Sequence, residues 1–268
     1  MAFYNDYPKY VPVAEKRRKA EKAVEKLRKG NSDIAPVRIT GRTVARTWWG
    51  KSWCDNLERY ADYANRIDRG RSYVRHGAVL DLRLAAGRIA ALVQGSASKP
   101  YKVEVAIDPL APGIWQEMVQ ACAGKIDSLQ ELAAGKLPAA LSELFTMKGK
   151  GLFPSPKEIR FSCSCPDGAS MCKHVAAVLY GIGARLDDDS ALFFTMRNVK
   201  MADLVASTIA EKSKDMMTKA DGAASGSGRR SRRVLADADL SGKFGIAIDS
   251  GDGDGRGRGA ANGDGGVT

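Results

Sequence analysis

The stretch "CSCPDGASMCKH", residues 163–174, holds three of the chain's five cysteines and one of its two histidines. The spacing is Cys163-x-Cys165, six residues, then Cys172-x-His174. The preceding "EIRFSCSC" alternates as a strand does, which puts residues 163 and 165 on one side. Pro166, Asp167 and Gly168 supply a turn. "MCKHVAAVLYGIGARL" then predicts an apolar helix that opens on the second pair. Unpaired N–H groups at a helix start favour negative charge and lower the cost of a thiolate at Cys172. A strand, a turn and a helix start can therefore bring four ligands to one point.

Three thiolates and one imidazole make a closed tetrahedral Zn2+ site of the Cys3His type. Soft sulfur ligands argue against magnesium or calcium. By ligand count the site carries a charge of about −1, which Arg160 and Lys173 lie near enough in sequence to offset in part. The ion should contribute folding energy, because the unfolded chain has no preformed pocket. A nucleophilic cysteine would find an orienting base in His174, but it needs no second and third cysteine. An iron–sulfur cluster takes four cysteines, and the fourth is missing locally. A zinc deaminase places a catalytic Glu beside its ligand histidine, and "CKHVAA" has none. Four filled positions leave no water to activate. The chain also lacks G-x-x-x-x-G-K-[ST], H-E-x-x-H and G-x-S-x-G motifs, so it is read as a non-enzyme.

With 268 residues and 44% apolar content, most of the chain should fold, as one large domain or two small ones. "MAFYNDYPKYVPV" carries no secretory core, and "VAAVLYGIGA" is shorter than the roughly 20 residues that span a bilayer. The expectation is a soluble, cytoplasmic protein without membrane association, in which clustered cysteines hold metal rather than disulfides. A net charge of +11 and a pI near 9.5 favour contact with polyanions, with solubility as the competing reading.

Residues 1–39 form a basic arm. Within it "AEKRRKAEKAVEKLRK", residues 14–29, has a narrow apolar stripe of Ala20, Ala23, Val24 and Leu27 at helical spacing. It reads either as a solvated helix, loosely docked, or as an arm lying along phosphates. The segment 40–150 predicts an α+β domain. "RTWWGKSWCDNLERYADYANRI" is a helix with Thr47 as N-cap and a stripe of Trp49, Trp53, Leu57, Tyr60 and Ala64. Trp48 falls beside the stripe. The aromatics read as core, and Cys54 as structural. "RGRSYVRHG", residues 69–77, punctuated by Gly70 and Gly77, reads as a strand edge or loop. There Arg69, Arg71 and Arg75 alternate around Tyr73, a set suited to phosphate contact and base stacking, with a solvated loop as the alternative. His76 reads as an ordinary loop histidine. "AVLDLRL", "RIAALVQGS" and "YKVEVAI" have period two and predict a hairpin plus a third strand. Residues 113–145 return to short helices, with Cys122 on an apolar face. The segment 151–212 holds the finger and two more short helices. Beyond it, 213–268 reads as a flexible, disordered tail, with four arginines, Arg229, Arg230, Arg232 and Arg233, in the linker "AASGSGRRSRR" and an apolar island at 234–249. The fold class is therefore α+β: a small antiparallel sheet with helices, a strand-turn-helix zinc finger, and a disordered C-terminal tail.

The pattern C-x-C-x6-C-x-H on a strand leading into a helix resembles the SWIM zinc finger, a module of Snf-type helicases and Mutator-type transposases. The resemblance assigns the ligands to Cys163, Cys165, Cys172 and His174. "TWWGKSW", "RGRSYVRHGAVLDL", "VQGSASKPYKVEV", "LFPSPKEIRFSCSCPD" and "MCKHVAAVLYGIGARLD" are similar to bacterial stand-alone SWIM zinc finger proteins, often encoded beside a Snf-type helicase. The likeness covers about residues 40–200, and "DLSGKFGIAID" resembles their tail. One departure is Gly168, where many relatives have a tryptophan after Pro-Asp. The resemblance implies binding of DNA or protein by the finger. Together with the charge, it predicts a nucleic-acid-binding accessory factor to a Snf-type helicase, DNA ahead of RNA. The alternative is an adaptor that uses the finger and tail for protein contacts.

Overall fold

Period-two segments form the sheet that carries everything else. The structure is a computed structural model and describes residues 11–58, 64–123, 125–126, 132 and 134–225. Strands β1 (Val79–Ala85), β2 (Arg88–Val93), β3 (Tyr101–Ile107) and β4 (Ile159–Cys163) pair antiparallel in the order β1-β2-β3-β4. Ile89, Ala91 and Val93 of β2, and Val103, Val105 and Ile107 of β3, are buried in the main core. On β4 the same alternation runs through Ile159, Phe161 and Cys163, the last opposite Val103. The hairpin and third strand read from the sequence are present. The fourth strand is the finger's own, so the segments 40–150 and 151–212 share one sheet.

Eight α-helices are present among the described residues, namely α1 (Val13–Gly30), α2 (Trp48–Leu57), α3 (Ala64–Arg75), α4 (Pro112–Ala123), α5 (Ser142–Thr146), α6 (Lys173–Asp188), α7 (Ala191–Met196) and α8 (Met201–Ser225). The architecture is α+β. Residues Met1–Met217 form one unit. Of Thr218–Thr268 the described part is the run of α8 to Ser225. The second helix expected after the finger is thus not short, and the 213–268 tail begins as helix. The 234–249 island and Arg229, Arg230, Arg232 and Arg233 lie outside the described residues.

Helix α6 is apolar around most of its circumference, and residues 174–183 are all buried. Such a helix must be enclosed. It lies among α2, α3 and the sheet. Small residues permit the close approach. A Cβ on Gly70 of α3 would stand 2.9 Å from the carbonyl carbon of Ala176, and one on Gly183 would stand 2.6 Å from Cys54 Sγ. Thr47 caps α2 by accepting from the Gly50 amide. Asp187, at the far end of α6, accepts from the amides of Arg46 and Thr47 and from the Thr47 hydroxyl. Trp49 and Trp53 donate their indole N–H groups to the Leu186 and Leu179 carbonyls, at 2.7 and 2.8 Å. The tryptophans therefore serve the core. Tyr60 lies outside the described residues.

Helix α1 uses Ala20 and Val24 to cover Ile34 and Leu80, with Ala23 and Leu27 partly buried beside them. This small cluster is separate from the main core. The apolar stripe of the arm is thus docked on the body, and Arg17, Arg18 and Lys19 are left exposed.

Buried Arg197 ties the sheet to the chain after α7. It donates to the Asp108 carbonyl at 2.8 Å and to Glu158 Oε1 at 2.5 Å. Burial alone would raise the Glu158 pKa. The hydrogen bonds from Arg197 and Ser155 outweigh it and hold the carboxyl below its ordinary value. A depressed carboxyl contributes stability above its unfolded pKa and loses it as pH falls through the folded one. Arg197→Met is expected to lower the unfolding free energy by about 3 kcal/mol at neutral pH, with a smaller further loss on acidification than wild type, read by urea melts at both pH values. Gly70→Ala is expected to cost about 1–3 kcal/mol through overpacking against Ala176. Gly113→Ala, whose new Cβ meets nothing within 4 Å, should stay within about 0.5 kcal/mol of wild type in the same assay.

Candidate metal centre

Each ligand position follows from its local structure. Cys163 closes β4, and the Ser164 amide extends the pairing by donating to the Lys102 carbonyl at 3.0 Å. Alternation then brings Cys165 to the same side. Residues 166–170 turn the chain. Asp167 accepts from the Ala169 amide within this turn and pairs with Arg66 of α3. Cys172 is the N-cap of α6, and its carbonyl accepts from the Ala176 amide at 3.0 Å. His174 follows in the first turn.

The three Sγ atoms and the imidazole nitrogen all lie within 4.8 Å of one another. His174 Nδ1 faces the sulfurs, 3.9 Å from Cys163 and 3.8 Å from Cys172. In a tetrahedral site with metal–sulfur bonds of about 2.3 Å, neighbouring ligand atoms stand about 3.8 Å apart. The donor set therefore fits a four-coordinate metal ion without rearrangement of the chain. Cys172 and His174 are buried, while Cys163 and Cys165 are partly covered. The hydrogen bond between Cys163 and Cys172 holds the first thiol up and the second down. The Val175 amide, at the start of α6, also favours the Cys172 thiolate. One side of the cluster is thus disposed toward thiolate chiefly by its neighbouring thiol, and the helix start adds to this. The other two cysteines differ. Burial pushes Cys54 up to about 12 and Cys122 up to about 11. Both are inert core thiols.

His174 is positioned by rings. The Tyr101 ring lies 4.5 Å from it, centre to centre, and Tyr73 meets it edge-on at 5.4 Å. Its Nε2 is buried without a hydrogen-bond partner among the described residues. Gly95 closes that side, where a Cβ would stand 2.9 Å from Nε2 and 2.8 Å from Tyr101 Cδ2. Sequence reading missed Tyr101, Gly95 and Arg66, because each reaches the centre from a distant element. The motif carries no local sign of them. Arg160 does not offset the centre's charge as expected, because its guanidinium is held by Asp108, at 2.5 and 3.1 Å. Arg66 is the cation fixed to the turn. At Gly168 a Cβ would meet nothing within 4 Å, so the departure from tryptophan leaves open space rather than a defect.

The stretch around Arg69, Arg71, Tyr73 and Arg75 is not a strand edge or loop. All four residues lie on α3. Gly70, read as punctuation, is the contact point with α6. Arg71 is engaged by Glu58 at 2.6 Å, by the Tyr180 hydroxyl at 2.9 Å and by Asp68 at 3.3 Å. Tyr73 is half-buried and packs on the His76 and His174 rings. Arg69 and Arg75 are exposed, and Arg75 donates to the Arg42 carbonyl at 2.6 Å. His76 stands in the turn that follows α3, as read, but it is not an ordinary exposed histidine. It is buried, and burial, with Lys16 and Arg17 nearby, pushes its pKa down to about 4.

A strand end, a turn and a helix start that present Cys3His, built into an α+β body, define a metal-binding finger protein. Residues 161–181 match the SWIM zinc finger family, and the chain carries that finger. Over 189 residues the chain is 35% identical to an uncharacterized protein of Mycobacterium tuberculosis, Rv2102. The match covers 70% of this chain and 65% of that protein, so the chain spans just under two thirds of its relative's length. No solved structure matches.

Gly95→Ala is expected to displace the His174 ring and to weaken metal binding about 10–100-fold, the range seen when a ligand's supporting contacts are altered. Competition with a chromophoric chelator would measure it. The Gly168→Trp chain should keep wild-type affinity in that assay.

Proposed function

We propose that this chain is a zinc-stabilised, non-catalytic SWIM-finger protein of the cytoplasm that binds nucleic acid, DNA ahead of RNA, as an accessory factor to a Snf-type helicase. The observation that carries the zinc assignment is the convergence of three sulfurs and a buried imidazole from a strand end and a helix start. When bound, zinc supplies a crosslink between β4 and α6 and no open coordination position. This chain's own residues orient the ligands. Tyr101 and Tyr73 hold the His174 ring, and the Arg66–Asp167 pair holds the turn.

The nucleic-acid reading is supported by the net charge of +11 and by the finger's resemblance to DNA-associated modules. The helicase association rests on that resemblance alone. A cytoplasmic place accords with the reduced cysteines, and no helix among the described residues is long and apolar enough to cross a membrane. A second reading, an adaptor for a protein partner, is supported by one finding: Arg71 and Tyr73 each already have partners within the fold.

Purified chain is expected to contain one zinc per molecule by elemental analysis. Cys172→Ser should lose it and unfold at a markedly lower temperature. Fluorescence anisotropy of the zinc-loaded chain with labelled DNA and RNA should show submicromolar binding that falls steeply with salt. No binding at low salt, from folded zinc-loaded protein, would replace this reading with the adaptor.

A further inference from the structure

We infer that a nucleic-acid phosphodiester backbone seats in a trough between α1 and α3, remote in sequence from the finger and lined by Arg17, Arg38 and Arg75. This rests on the nucleic-acid reading above and gives it a location. Two hollows, of about 240 and 430 Å³, meet there. They share Arg17 of α1, together with Arg75 and His76 at the end of α3. The first runs on to Arg38 and the second to Arg71.

The trough gathers arginines without acid partners; Arg18, Arg28, Arg42, Arg69 and Arg185 also lack one among the described residues but do not line it. Arg46, Arg66, Arg71, Arg83, Arg88, Arg160 and Arg197 each have a carboxylate partner. Arg17, Arg38 and Arg75 have none among the described residues, and all three are exposed. The acids lining the trough are Glu21 and Asp68, and Asp68 is already on Arg71. The Arg42 carbonyl orients the Arg75 guanidinium. Guanidinium groups that share a concave wall and have no carboxylate partner are a site for phosphate oxygens, which they contact in a fork geometry. The depressed His76 at the trough floor accords with a positive field there, after the larger effect of its burial.

A flat anionic membrane fits less well. A membrane-surface helix needs an exposed apolar face, and the apolar stripe of α1 is turned onto Ile34 and Leu80.

The test is anisotropy with labelled single- and double-stranded DNA over a salt series, using the full zinc-loaded chain. Arg17→Gln/Arg38→Gln is compared with Arg83→Gln/Arg88→Gln, which removes the same charge from acid-paired positions on β1 and β2. Circular dichroism and zinc content verify folding of both. The trough variant is expected to bind at least about tenfold more weakly and to lose about one unit of salt slope per arginine removed, while the control stays within about twofold of wild type. Equal loss in both variants, with wild type binding, would overturn the trough and leave the nucleic-acid reading standing. No binding by wild type would overturn both. Binding to phosphatidylglycerol vesicles but not to DNA, lost in the trough variant, would assign the trough to a membrane instead.

Discussion

Helix α6 has almost no solvent face, and its position is fixed at its two ends. At its start Cys172 and His174 meet Cys163 and Cys165. At its end Asp187 takes the amides that open α2. Between these ends the helix fills the space bounded by α2, α3 and the sheet. An apolar helix in such a place could rotate about its axis at small cost if packing alone held it. Two ligands in its first turn, directed at two more on β4, permit one rotation and one depth. The centre thus sets the register between the helix and the sheet, and the core follows. Without the ion, the buried imidazole and thiol would have only weak sulfur hydrogen bonds to offset their burial.

The close packing around α6 depends on what is missing from three positions. Gly50, Gly70 and Gly183 each lack a Cβ that would meet neighbouring backbone or sulfur. Gly95 does the same for the imidazole. These glycines are needed for approach rather than for unusual backbone angles, since none has a positive φ. Helix crossing and ligand placement therefore rest on the same device.

This device also explains what could be read in advance. The ligand set, the three strands, the Thr47 cap and the buried Cys122 follow from spacing and periodicity, which are local. Gly70 was misread because a glycine flanked by arginines looks like a break. Its reason for being there is Ala176, more than a hundred residues away in sequence. Arg71 and Tyr73 looked available because Glu58, Tyr180 and His174 are brought to them only by the fold. The fourth strand and its partner were each readable, but their pairing was not, since nothing local links Val103 to Cys163. The supporting shell of the centre was invisible for the same reason.

The enclosure of α6 bears on how such a finger can act. In many DNA-binding modules the helix beside the zinc enters a groove and its side chains reach base edges. Here those side chains are spent on the core. At its strand end and turn the finger exposes Ser162, Ser164, Pro166, Gly168 and Ser170, none of them a cation. Among the described residues, the arginines without acid partners lie on α1, on the segment before α2 and on α3, apart from Arg185 of α6, which donates to the Ala35 and Pro36 carbonyls. Most arginines elsewhere on the body brace the fold by pairing with acids. The division of labour is therefore between a metal centre that holds the body in register and a separate, unpaired set of cations that the register places side by side.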